Sequence, residues 1–219
     1  MSTLILPCAG KSTRFPDLPP KWMLENGQGE SMLEMVIDSM PQDFDKTIVT
    51  ITSEQQEKWD AFSFINKKLK WSVDVNILEE PTRSAAETVY QTIQNCMVSG
   101  PIVIKDCDCA VEYDSGDLTN YKSFIKKNND NIIEDIVEKK MVSNNICVGA
   151  YACGSESFQE SYDCIHKSGV MLDDREVYVS HIFSHMILSN KFNSVFSYVE
   201  AQSFLDWGTL EDWEANKNL

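Results

Sequence analysis

The chain of 219 residues is 42% hydrophobic and 24% charged, a globular balance that fits neither a disordered chain nor a membrane-embedded one. A domain of that length buries about 70% of its unfolded surface, enough for a real core. With 19 Lys plus Arg against 34 Asp plus Glu, the net charge is −15, and such a surface repels phosphate backbones and anionic lipid heads, so neither nucleic acid nor a membrane is an expected partner.

Taken in chain order, apolar β-rich runs alternate with helical patterns: strands over 4–7, 47–52, 73–78 and 102–105, with helices over 32–40, 54–68 and 85–98 between them. This βαβαβαβ order predicts an α/β fold, a three-layer sandwich with a mostly parallel central sheet. Beyond residue 110 the pattern predicts a helix over 121–128, strands over 132–137 and 146–152, a helix over 176–189, a strand over 193–200 and a helix over 210–216. No repeat or Gly/Ser linker divides the chain, so the second half is expected to extend the same sheet within one domain, 1–219. Seven scattered cysteines, with no signal peptide before the first apolar run, predict reduced thiols and a cytoplasmic compartment. The spacing of Cys107, Cys109, Cys147 and Cys153 is not that of a zinc site.

Parallel α/β sheets bind ligands beyond the carboxyl ends of their strands. The loop after the first strand reads Pro7-Cys8-Ala9-Gly10-Lys11-Ser12-Thr13-Arg14-Phe15, with Pro20-Lys21 close behind. The net negative field would repel a nucleotide, so a phosphate site must be built locally, and Lys11, Arg14 and Lys21 with small-residue backbone can build one here. The loop lacks the Gly-Lys-Ser/Thr ending of a Walker A motif and the glycines of a dinucleotide fingerprint. After the strand over 102–105 comes Asp106-Cys107-Asp108. Alternate residues of an extended segment face the same way, so the pair suits a hard cation with phosphate oxygens, or else an Asx-turn closing the strand.

The run from Leu4 to Phe15, followed by Pro20-Lys21-Trp22-Met23-Leu24, resembles the N-terminal signature of the sugar-nucleotide-type nucleotidyltransferases, an apolar strand, Ala-Gly-x-Gly-x-Arg and Pro-Lys-x-Leu. Ser12 stands at the second Gly. The resemblance implies a Rossmann-like nucleotide-diphospho-sugar transferase fold, with Ala9, Gly10, Lys11, Ser12 and Arg14 around the triphosphate and Lys21 on the phosphates. Further segments are similar in order. Glu79-Glu80-Pro81-Thr82-Arg83-Ser84-Ala85-Ala86-Glu87-Thr88 resembles the base-recognition run, which places Glu80, Ser84 and Ala85 by the nucleotide. Glu138-Lys139-Lys140 resembles a Glu-Lys-Pro segment, with Lys139 on the acceptor sugar's phosphate and Glu138 on a sugar hydroxyl or the ring. Glu176 opens the next helix, and Asp206-Trp207-Gly208-Thr209 resembles the closing Asp-x-Gly-Thr segment. By the same resemblance Asp108 or Asp106, together with Asp206, holds a catalytic Mg2+. Residues 1–110 would then form the nucleotide-binding half and 111–219 the acceptor-binding half.

The implied activity couples a nucleoside triphosphate to a sugar 1-phosphate or similar small phosphate monoester, releasing pyrophosphate. Two alternatives stay open: a CTP-dependent enzyme acting on a non-sugar phosphate such as phosphocholine, and a glycosyltransferase of related fold whose Asp-x-Asp holds the metal of a sugar nucleotide. His181 and His185, an i, i+4 pair without a third ligand, read as part of an ordinary amphipathic helix.

Overall fold

The computed structural model describes residues 2–40, 44–70, 72–111, 123–130, 132–138, 140–141, 143–168, 176–189, 196, 201 and 204–219. The first half runs β1 (Thr3–Pro7), α1 (Met32–Asp38), β2 (Lys46–Thr52), α2 (Ser53–Trp59), α3 (Ala61–Lys68), β3 (Asp74–Leu78), α4 (Ala85–Asn95) and β4 (Pro101–Lys105). All five residues of β1 are buried. Because side chains alternate along a strand, Leu4 and Leu6 join one core while Ile5 joins another. Residues of α1, α3 and α7 (Leu210–Asn216) fill the first core, and residues of α4, α5 (Ser155–Lys167) and α6 (Val179–Ser189) fill the second. A sheet with an apolar layer on each face is the three-layer α/β sandwich that the alternating pattern predicts.

β1 pairs in parallel with β2, Ile5 opposite Ile48, and with β4, Ile5 opposite Ile104, while β2 pairs in parallel with β3. The central sheet has the order β3-β2-β1-β4-β8, its last strand being β8 (Ala150–Gly154). From β1 the chain steps outward to β3 and then returns to the opposite side of β1 as β4. The loops leaving β1 and β4 therefore flank the point where the strand order reverses, which is where such sheets open a crevice.

Four features differ from the sequence reading. The helix expected over 54–68 is broken into α2 and α3 at Asp60, which takes the left-handed conformation (φ 48°, ψ 48°). Residues expected as a helix over 121–128 instead contribute β6 (Ser123–Lys127), antiparallel to β7 (Ile133–Glu138). Asn128 closes that hairpin, its side-chain oxygen accepting from the Asp130 and Ile132 N–H groups, and this local turn chemistry overrides the helical spacing. α5 went unread because two of its four buried positions are serines and Gly154 offers no side-chain cap. Finally, among the described residues of the second half only β8 extends the central sheet, and it does so antiparallel to β4, whereas β6–β7 and the short β5 (Cys109–Ala110) with β9 (Leu205–Asp206) form separate two-stranded pairs. The strand expected over 193–200 lies outside the described residues, apart from Phe196.

Candidate active site

The β1 loop is anchored at both ends and open in the middle. Cys8, Ala9 and Phe15 are buried, while Gly10, Lys11, Thr13 and Arg14 are exposed. The buried amide of Gln55 donates to the carbonyls of Cys8 (2.9 Å) and Gly10 (3.3 Å). Across a trans peptide the N–H points opposite to the carbonyl, so the N–H groups of Ala9 and Lys11 face away from Gln55. Gln55 is itself held by the capping box of α2, where Thr52 and Gln55 bond each other's backbone N–H. Ser12 has φ +49°, a conformation that favours glycine, and the family signature has Gly at this position. Its hydroxyl accepts from the Lys21 N–H (3.3 Å), which ties the loop to the short 3-10 turn Lys21–Met23.

The acidic turn follows β4. Lys105 is fully buried, and its ammonium donates to the carbonyls of Asp106 (3.3 Å) and Cys109 (2.8 Å) and to Cys109 Sγ (2.8 Å), closing the turn from beneath. Asp106 N–H donates to Gly149 O, and Trp207 N–H donates to Asp108 O, both at 2.8 Å. Through the β5–β9 ladder Asp206 lies opposite Cys109, and its Oδ1 accepts from Gly208 N–H (2.8 Å). The basic loop meets the acidic turn in the ion pair of Lys21 Nζ with Asp108 Oδ2 at 2.6 Å, with side chains 17% and 7% exposed. Burial alone would lower the Lys21 pKa, but the charges of Asp108 and Cys107 and the hydrogen bond to Asp108 outweigh it and hold the ammonium above its ordinary value.

Ligand atoms of Asp106, Asp108 and Cys109 lie within 4.8 Å of one another. Burial pushes the Cys109 thiol up to about 12, so it stays protonated and the effective donors are two carboxylates, a hard oxygen set suited to a hard divalent cation. Gly149 leaves room for one of them. A Cβ there would lie 2.6 Å from Asp106 Oδ2, and the φ of +66° independently favours glycine. The donor set therefore fits a Mg2+-like ion.

The remaining candidates are spread over neighbouring elements. Glu80 is exposed beyond the end of β3, Ser84 caps α4 by accepting from Glu87 N–H (3.2 Å), and Ala85 begins that helix. Glu138, at the end of β7, accepts from the Ser180 hydroxyl (2.6 Å), and Glu176 accepts from the Tyr178 hydroxyl (2.8 Å). His181 Nδ1 accepts from Tyr178 N–H at the start of α6. Lys139 lies outside the described residues. Two residues of the site, Gln55 and Lys105, are given no role by the sequence, and Gly149 is legible there only as the first residue of Gly149-Ala150-Tyr151, which resembles a Gly-x-Tyr segment. Lys105, a lysine ending an otherwise apolar strand, carried a readable signal; the role of Gln55, and the packing of Gly149 against Asp106, emerge only when β2 and β8 are placed beside β1 and β4.

A mostly parallel five-stranded sheet flanked by helices is the fold shared with solved nucleotide-sugar pyrophosphorylases and cytidylyltransferases. One such structure is the nucleoside-diphosphate-sugar pyrophosphorylase of Vibrio cholerae, with a TM-score of 0.77 at 17% identity over 99% of this chain and 100% of that one. The inositol-1-phosphate CTP transferase of T. maritima has a TM-score of 0.68 at 11% identity, covering 96% and 90%. The CTP:phosphocholine cytidylyltransferase of Streptococcus pneumoniae has 0.62 at 16%, covering 99% and 97%. No protein-family model and no curated protein matches the sequence.

Proposed function

We propose that the chain is a magnesium-dependent nucleotidyltransferase that joins a nucleoside triphosphate to a sugar 1-phosphate or similar small phosphate monoester. The observation that carries this reading is the Lys21–Asp108 ion pair, which brings the basic loop and the acidic turn together at the reversal point of the sheet. A glycosyltransferase would need the acidic turn but has no use for a basic loop joined to it.

In this reading the main obstacle is repulsion between two anions, so catalysis is positioning and neutralisation without a covalent protein intermediate. An oxygen of the acceptor phosphate attacks the α-phosphorus, the bond from the α-phosphorus to the bridging oxygen breaks, and pyrophosphate leaves with the electron pair. The N–H groups of Ala9 and Lys11, with the side chains of Lys11 and Arg14, hold the triphosphate and draw charge from the leaving pyrophosphate. Lys21 and Lys139 hold the attacking phosphate in line, with Glu138 and Glu176 on the acceptor's polar groups and Glu80, Ser84 and Ala85 by the base. Asp106 or Asp108, with Asp206, would hold Mg2+, which when bound neutralises α-phosphate charge. No general base is required, because a phosphate monoester with a second pKa near ~6 is already ionised at neutral pH.

A second reading, a CTP-dependent enzyme with a non-sugar acceptor, is favoured by the fold likeness to two CTP-using enzymes. Pyrophosphate release from each of four nucleoside triphosphates, with magnesium and a panel including sugar 1-phosphates, inositol 1-phosphate and phosphocholine, tests both. Release with one acceptor class identifies the reading, and no release with any pair sinks the nucleotidyltransferase assignment.

A further inference from the structure

Among the described residues Lys105 and Lys21 touch the acidic turn, and they are bound in different ways. Lys105 is fully buried, and its ammonium is committed to two backbone carbonyls and a sulfur of the turn itself. It cannot leave without opening the turn. Lys21 reaches the turn from a different part of the chain, through a flexible four-carbon stem, and meets a carboxylate rather than the backbone. Its own backbone is pinned independently, by the Ser12 hydroxyl on its N–H and by the Leu24 N–H on its carbonyl. The ammonium can therefore move while the 3-10 turn stays in place.

From this asymmetry we infer that Lys21 is an exchangeable counter-ion, which occupies the carboxylate of Asp108 until a divalent cation displaces it and frees it for the phosphates. The inference rests on the nucleotidyltransferase reading for the last of these steps only. Asp108 belongs to the group within 4.8 Å that suits a hard cation, and the ammonium at 2.6 Å stands on one of its oxygens. A cation seated there repels the ammonium across a short, poorly solvated distance, so the two compete for Asp108. A carboxylate only 7% exposed also needs a positive partner when no metal is bound. Exchange meets both demands: the site is neutralised before the metal arrives, and the displaced charge is delivered where phosphate enters.

The sign of the consequence separates this role from a structural one. Removing a structural lysine weakens everything that depends on the site. Removing a competing counter-ion tightens the metal and weakens only the phosphate ligand. In full-length Lys21→Met without nucleotide, the Kd for Mn2+, read from the free-ion electron paramagnetic resonance signal, should fall by about ten-fold or more. The metal-free variant should melt below the wild type, and Mn2+ should raise its Tm by a larger increment, since stabilisation follows ligand affinity for the folded state. In parallel, triphosphate affinity without metal should drop. Should Lys21→Met fail to fold, Lys21→Gln, which keeps a donor for Asp108 without the charge, takes its place. Unchanged or weaker Mn2+ binding in a folded variant overturns the exchange. Tighter Mn2+ binding with no pyrophosphate release by the wild type keeps the counter-ion exchange and refutes the nucleotidyltransferase reading.

Discussion

Arg14 is exposed on a loop anchored elsewhere, so Arg14→Ala should leave the fold intact while turnover falls by about 10²–10³-fold, the usual loss of one preorganised donor to developing charge. Circular dichroism with pyrophosphate release checks both halves. Gln55 acts through the loop rather than on substrate. Gln55→Glu keeps an acceptor for the α2 capping box but cannot donate to the carbonyls of Cys8 and Gly10. It should raise the KM for the nucleotide by about ten-fold, worth about 1.4 kcal/mol, with the acceptor KM unchanged. Equal rises in both constants would assign Gln55 to general stability. At Gly149 a methyl group meets Asp106 at 2.6 Å, so Gly149→Ala should displace a proposed metal ligand. Mn2+ titration of the folded variant reads the loss directly.

At the scale of elements, local signals and tertiary signals part company. Ser31 and Glu34 form a reciprocal box at the start of α1, with Ser31 fully buried, and Ser31→Ala should cost about 1 kcal/mol, visible in a denaturant melt. The strands β1 to β4 and the helices α1, α4 and α7 were legible because each carries its own period, its own cap or both. Asp60, by contrast, breaks a continuous helical pattern through a left-handed residue that spacing does not reveal. The β6–β7 hairpin hides because the Asn128 turn decides its structure more than its apolar spacing does. At the site, Lys21 was legible as a charge of the basic loop and Asp106 and Asp108 as charges at a strand end; that Lys21 and Asp108 are paired was not, since 87 residues separate them and the parallel pairing of β1 with β4 brings their segments together.

For the molecule as a whole, the proposed halves make separable demands. Lys11 sits on the β1 loop, and Lys139 follows directly on Glu138, the last residue of β7. If each contributes a charge-assisted phosphate contact of roughly 1.5–3 kcal/mol, Lys11→Ala should raise the nucleotide KM about ten-fold or more and Lys139→Ala the acceptor KM likewise. Paired substrate titrations on each variant decide the matter, and identical effects on both constants would dissolve the two subsites into one.

The reversed direction of β8 has a consequence for how such a protein diversifies. Because β8 runs against β4, with Lys105 opposite Ala150, the chain leaves the sheet at Asp106 and rejoins it at Gly149 with those two residues joined by a single 2.8 Å backbone hydrogen bond. The described strands between them, β5, β6 and β7, pair outside the central sheet in an excursion closed at its base. Lengthening a closed excursion costs little, each doubling adding only about 0.6 kcal/mol of closure entropy. The stretch beyond β5 is not independent of the frame, however, since Ile133 and Ile136 of β7 lie in the same core as Ile5, Ile102 and Ile104 of the central sheet. A chimaera carrying a foreign 111–148 segment should melt near the parent only where the new segment restores apolar side chains at the places of Ile133 and Ile136, so that a replaceable cartridge must still carry its share of the frame.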